Sequence, residues 1–289
     1  MSTLHKLSLV VFAVALTACN QGDDSDSGEK VSKQALRETS SLQFLSDDLL
    51  NIAEDELNSG GYGGRPATSA SRGIDVGCAN ISWDGVDTVT IDFGTDGTCE
   101  FNSRIHKGKI SYQYAGLYFI TGGSITVTLE GFEVETSADS GEFIGLSGTK
   151  TVTNLGLVDG MKTWSIVDSG FVLTQEDGST QTWDSDRTRI LFDAGSANPF
   201  DEIYHSYGTT EGTTSAGEEY AAVTTSDDPL VLDIACALTT GMPVDGSITL
   251  SVGRKADRII DFGYQAEEGE ECDRSVSVTV GKTVVPISF

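Results

Sequence analysis

From residue 74 onward, apolar side chains recur at every second position. Val89, Ile91 and Phe93 alternate with Thr88, Thr90 and Asp92; Ile125, Val127 and Leu129 alternate with Ser124, Thr126 and Thr128; Val276, Val278 and Val280 alternate with Ser275, Ser277 and Thr279. Only an extended chain sends successive side chains to opposite faces, so each run reads as a strand with one face buried and one wet. Asp-Gly pairs begin at Asp84, Asp96, Asp159, Asp177 and Asp245, and this dipeptide tolerates the positive φ angles of tight hairpins. Counting runs between turn signals predicts roughly a dozen strands over 74–289, joined by short connections and therefore antiparallel. The expected fold is mainly β, a large antiparallel meander or two-sheet sandwich.

The residues before it read differently. Lys30 to Leu57 contains no Gly or Pro, and Leu42, Leu45, Leu49 and Ile52 return at intervals of three and four. That spacing predicts an amphipathic α-helix over 30–58, ended by Asn58-Ser59-Gly60-Gly61 and followed by a Gly-rich linker over 59–73. Asp47, Asp48, Glu54, Asp55 and Glu56 crowd its carboxyl half, where the helix dipole disfavours acids. Packing of the apolar stripe, with a sheet face as the expected partner, must then hold the helix together.

The amino terminus carries an address. His5 and Lys6 precede an apolar run from Leu7 to Leu16. A ten-residue helix is only about 15 Å long, half of a bilayer core, so 1–18 reads as a signal peptide and not as a span. The run closes in Leu16-Thr17-Ala18-Cys19, which resembles a bacterial lipobox. That resemblance implies diacylglycerol on the Cys19 thiol and a mature chain held on a membrane by its acyl chains. Residues 19–29, with Asp23, Asp24, Asp26 and Glu29, form an acidic tether too polar to pack. Asn20 in place of Asp after the cysteine implies the outer membrane. The acidic run resembles the signal that exports lipoproteins to the surface of Bacteroidota-type cells, and it serves equally as a spacer.

A repeat links the two ends of the β region. Ile91-Asp92-Phe93-Gly94 leads to Cys99, and Ile260-Asp261-Phe262-Gly263 leads to Cys272; Gly108-Lys109 and Gly281-Lys282 follow at matching distances, and Cys78 and Cys236 lie upstream. A pseudo-repeated unit is expected near 74–115 and 230–289. Four cysteines other than Cys19 in an exported chain read as two disulfides, and three pairings can be drawn. The simplest joins Cys78 to Cys99 and Cys236 to Cys272. The close Cys-x-x-Cys spacing of a zinc site is absent. Lipobox, tether, helix, repeated strand, the Lys107–Ile110 segment and Gly148–Asn154 together resemble uncharacterised putative lipoproteins common in Bacteroidota. The resemblance implies anchoring and architecture and carries no activity.

Chemistry is sparsely signalled. With 44 Asp and Glu against 18 Lys and Arg, a formal net charge of −26, the chain repels nucleic acid and is expected to leave its ectodomain monomeric. So many acids also make any glycosidase-like carboxylate pair unreadable. His106 and His205 belong to no metal or protease motif, and no Gly-x-Ser-x-Gly elbow occurs. The cationic run around His106 is expected to offset nearby acids. Tyr112, Tyr114, Tyr118, Trp164 and Trp183 suit a core better than a sugar-binding platform. Asp184 and Asp186, beside Arg187 and Arg189, are expected to pair with a neighbouring strand. No catalytic residue, cofactor or metal is assigned. The reading is a lipid-anchored envelope or surface protein, outer-membrane attached and facing periplasm or exterior, whose β domain is a structural, adhesive or ligand-binding module for a glycan or an envelope protein. A glycan hydrolase and a lipid carrier with a concave apolar sheet are the alternatives.

Overall fold

The computed structural model describes residues 78–101, 104–118, 120–135, 140–193, 202–236, 242–264, 272 and 275–288. The signal peptide, Cys19, the tether, the helix expected over 30–58 and the linker lie outside them.

The described residues form one antiparallel sheet and not a sandwich of two. Its strands are β1 (Asn80–Trp83), β2 (Thr88–Asp92), β3 (Cys99–Phe101), β4 (Arg104–Ala115), β5 (Ser124–Glu135), β6 (Phe143–Val158), β7 (Met161–Thr174) and β8 (Thr180–Asp193), followed by β9 (Ile203–Thr213), β10 (Glu219–Thr224), β11 (Leu230–Asp233), β12 (Ser247–Val252), β13 (Arg258–Asp261), β14 (Ser275–Val280) and β15 (Thr283–Ser288). Fifteen strands exceed the expected dozen because short β3 and β11 lie off the main path, on β4 and β9. Every other strand pairs with its nearest neighbour along the path, as short connections require. Asp159 and Gly160 have φ of 53° and 83° and close the β6–β7 hairpin between the paired Val158 and Met161. Positive φ at both central residues is what the two-residue primed turn demands, and Asp-Gly supplies it.

Long strands alone would make a flat sheet; bulges bend this one. The ladders shift register at Lys107/Lys109 in β4, Leu129/Phe132 in β5, Ser147/Thr149 in β6 and Asp168/Phe171 in β7. The shifts are adjacent across four strands and form a crease, and bulged strands bend and twist more strongly. The crease also reverses side-chain phase: Val127 and Leu129 are buried before it in β5, then Phe132 and Val134 after it. Gly148 sits in the crease at φ 135°, and a β-carbon there would lie 2.7 Å from Phe171 Cα. The space is taken by Phe171 itself, stacked on Trp183 with centroids 4.6 Å apart.

One face of the bent sheet is buried. One continuous buried cluster runs from Ile91 and Ile110 through Ile125, Ile166 and Leu250 to Val278 and Ile287. Burying each such side chain contributes about 1.5–3 kcal/mol, so this face is what holds the fold. The sheet stays open at its edges, β1 and β15. Pro286 in β15 has no N–H to offer a further strand, which suits an edge.

The two Ile-Asp-Phe-Gly segments have similar surroundings. Ile91 lies between Ile81 and Ile110, and Ile260 lies between Ile248 and Val278. Asp92 accepts the Gly94 N–H at 2.9 Å, and Asp261 accepts the Gly263 N–H at 3.0 Å. The Gly-Lys pairs are not equivalent, contrary to the expectation from their matching distances. Gly108 is a bulge within β4, whereas Gly281 lies in the turn between β14 and β15. Ser275 and Ser277, expected on a wet face, are buried with Val276 and Val278, so β14 is covered on both sides.

Candidate functional site

The densest polar chemistry lies on the inner face, where apolar side chains were expected. Strand register brings Lys150 of β6 opposite Asp168 of β7, and Asp168 opposite Ser185 of β8. Lys150 Nζ donates to Asp168 Oδ1 at 3.0 Å; Ser185 Oγ and Arg187 Nη2 donate to Asp168 Oδ2 at 2.6 and 3.0 Å. Arg187 Nε also donates to Ser185 Oγ at 3.3 Å. The side chains of Lys150, Asp168 and Arg187 are 0%, 1% and 4% exposed. In such a dry site charges persist only when paired and hydrogen-bonded, which this geometry provides. A carboxylate on β7 held by three donors from the two flanking strands is a rigid cross-brace. It is fully engaged by neighbours and has no face open to a substrate.

The cross-brace adjoins a hollow of about 10 Å³ lined by Arg187, Ser206, Gly208, Ala222, Leu230 and Ile248, room for about one water. Farther along the inner face Arg258 is 1% exposed, and its Nε and Nη1 meet no hydrogen-bond partner among the described residues. It stands between Leu250 of β12 and Val280 of β14. Glu135, also buried, accepts the Ile105 and Gly141 N–H groups at 3.3 and 2.7 Å.

The residues singled out from sequence separate into distinct settings. Cys78 is disulfide-bonded to Cys99, and Cys236 to Cys272, which fits an oxidising location outside the cytoplasm. Tyr112, Tyr114, Tyr118 and Trp183 are buried in the core and form no outward platform. Trp164 packs against that core at 6.1 Å from Tyr204, whose ring Arg189 overlies. His106 is buried against Phe93 and Phe132. Its cationic neighbours offset acids as expected: Lys107 Nζ lies 2.9 Å from Glu133 and over the Phe143 ring, and Lys109 lies 3.2 Å from Asp92. The Gly94 N–H and Lys109 together hold the Asp92 carboxyl below the usual carboxylate range.

Arg187 does pair with a neighbouring strand, through Asp168. Asp184 and Asp186 take the opposite face of β8 and are exposed, with Asp184 Oδ1 accepting the Gly170 N–H at 2.7 Å. They share no ion site with Arg187, because alternate residues of a strand point to opposite sides. His205, half-buried, stacks on exposed Phe192 at 4.2 Å. Burial pushes its pKa down and the Asp245 charge pulls it partly back. Among the described residues no group of three or more His, Cys, Asp or Glu side chains is placed to hold a metal ion, and no helix is long and apolar enough to cross a membrane. Comparison with family models, curated proteins and solved structures finds no match, so the functional reading rests on these residues and their geometry.

Proposed function

We propose that the chain is a lipid-anchored lipoprotein of the cell envelope or surface, attached at the outer membrane through Cys19, whose β domain is a non-catalytic structural, adhesive or ligand-binding module. The observation that carries the module reading is how the buried polar groups are used: Asp168 is tied to Lys150, Ser185 and Arg187, and the adjoining hollow is about 10 Å³. A glycosidase needs two carboxylates about 5–10 Å apart across a cleft that admits a sugar. A lipid carrier needs an inner face left empty, whereas here Tyr112, Phe171 and Trp183 fill it. The disulfides support a location outside the cytoplasm, and the lipobox-like Leu16–Cys19 supports the anchor. Binding to glycans or envelope proteins through the outer face is the expected mode of action.

The test is metabolic labelling with a palmitate analogue combined with mass analysis of the amino-terminal peptide. Acylated Cys19 in the native chain and an unlabelled Cys19→Ser chain are expected. An unmodified native peptide refutes the anchor. A glycan array probed with the same protein then distinguishes an adhesive from a structural module.

A further inference from the structure

In a chain with 44 acids, the twenty residues from Ile110 to Leu129 carry no charge, and neither do the eight from Thr151 to Val158. At the chain's mean density those stretches would hold about four acids. The fold brings them to one end of the long strands. Asn154 N–H donates to the Gly123 carbonyl at 2.9 Å, the Gly122 N–H donates to the Asn154 carbonyl at 2.7 Å, and Asn154 Nδ2 donates to the Tyr118 carbonyl at 2.9 Å. These bonds set the β4–β5 loop against the end of β6. The tip so formed leaves Leu117, Ile120, Leu155, Leu157 and Val158 exposed by 51, 57, 41, 71 and 44%. Five of the twelve large apolar side chains exposed among the described residues therefore belong to the two segments that meet at this tip. Scattered exposed hydrophobes need no explanation, but a contiguous set does. The nearest charges are few and of mixed sign: Lys162 opposite Leu157, Asp159 after Val158, and Asp87, whose carbonyl accepts the Tyr114 N–H at 2.9 Å.

We propose that this tip is a membrane contact that dips its apolar side chains into a zwitterionic bilayer. Charge selects the occupant. A second copy would bring another −26 against the first, and an anionic surface would repel the body behind the tip; a neutral interface accepts the uncharged end alone. The inference extends the anchored-lipoprotein reading with a second attachment, and its test does not depend on the acyl chains.

The experiment places Leu157→Trp in the full-length chain, both native at Cys19 and as Cys19→Ser, and adds phosphatidylcholine vesicles brominated on the acyl chains. Quenching beyond that of Trp83, Trp164 and Trp183 in the parent is expected in both forms. Ile120→Asp should lower partition about tenfold or more, the loss expected from keeping one large apolar side chain out of the lipid. Phosphatidylglycerol vesicles should bind more weakly, and added salt should narrow the gap. Absence of extra quenching in both forms overturns the inference even where Cys19 is acylated; quenching in the Cys19→Ser form sustains it even where the anchor fails. Quenching only in the acylated form still places the tip in lipid. A tip-dependent dimer in sedimentation, abolished by Leu157→Asp, would instead assign the surface to a second copy.

Discussion

Replacing Asp168 by Asn keeps the shape of the cross-brace and removes the carboxylate charge that faces both Lys150 and Arg187. Both cations sit in a dry face, 0% and 4% exposed, so neither regains water when the carboxylate goes. Breaking a buried pair from one side costs about 3–5 kcal/mol, most of it the penalty of leaving the partner uncompensated. With a urea m-value of about 3 kcal/mol/M for a domain of this size, the midpoint should fall by about 1–1.7 M. Urea unfolding followed by tryptophan fluorescence reads this directly, since Trp183 lies two residues from Ser185 on the same strand face. The accompanying cycle adds Lys150→Met. In the Asp168→Asn background it removes one stranded cation, so it should cost at least about 1 kcal/mol less than in the parent, a coupling within the range of directly bonded pairs. A midpoint loss below about 0.3 M, or strict additivity, would show that these charges are hydrated or otherwise neutralised and would refute the cross-brace.

Two further outcomes follow from other buried and half-buried groups. Arg258→Met should raise the unfolding midpoint or leave it unchanged, because the side chain replaced is a guanidinium with two donors unmet among the described residues; a fall of more than about 1 kcal/mol would show that Arg258 has a partner in solution. His205 has its pKa lowered by burial, so the unfolded chain binds its proton first as pH falls through about 6.5. Stability attributable to this group is then complete above that pH and is lost toward and below the lowered folded value. His205→Gln should narrow the difference in melting temperature between pH 7 and pH 5; an unchanged difference would exclude His205 from the acid response.

Alternation and Asp-Gly turns made the strands legible, because both follow from local backbone geometry that a short segment sets by itself. The disulfides were legible for a similar reason, each upstream cysteine lying close in sequence to a repeated strand. The cross-brace was not read, since Lys150, Asp168 and Arg187 belong to three strands and meet only once register is known. A signal was present: Lys150 is in phase with Leu146 and Val152, Asp168 with Ile166, and Arg187 with Trp183 and Leu191, all of them buried. A charge in phase with the core asks for a partner on the adjoining strand. The crease hid from pattern reading too, because a bulge reverses phase within a strand. Ile166 and Asp168 are inward at even positions, then Phe171 and Leu173 at odd ones, and a strict two-residue period sees two strands or none. Asp184 and Asp186 were read with Arg187 by proximity, where parity separates them.

The order of strands in the sheet bears on how the polypeptide reaches its shape. Along the main path each strand is hydrogen-bonded to the one made just before it, with only β3 and β11 aside. A chain that becomes available amino end first can therefore zip one hairpin after another without waiting for distant partners. Such local closure is entropically cheap and fast. The apolar side of the growing ribbon stays uncovered until the buried cluster that runs from Ile91 to Ile287 is complete.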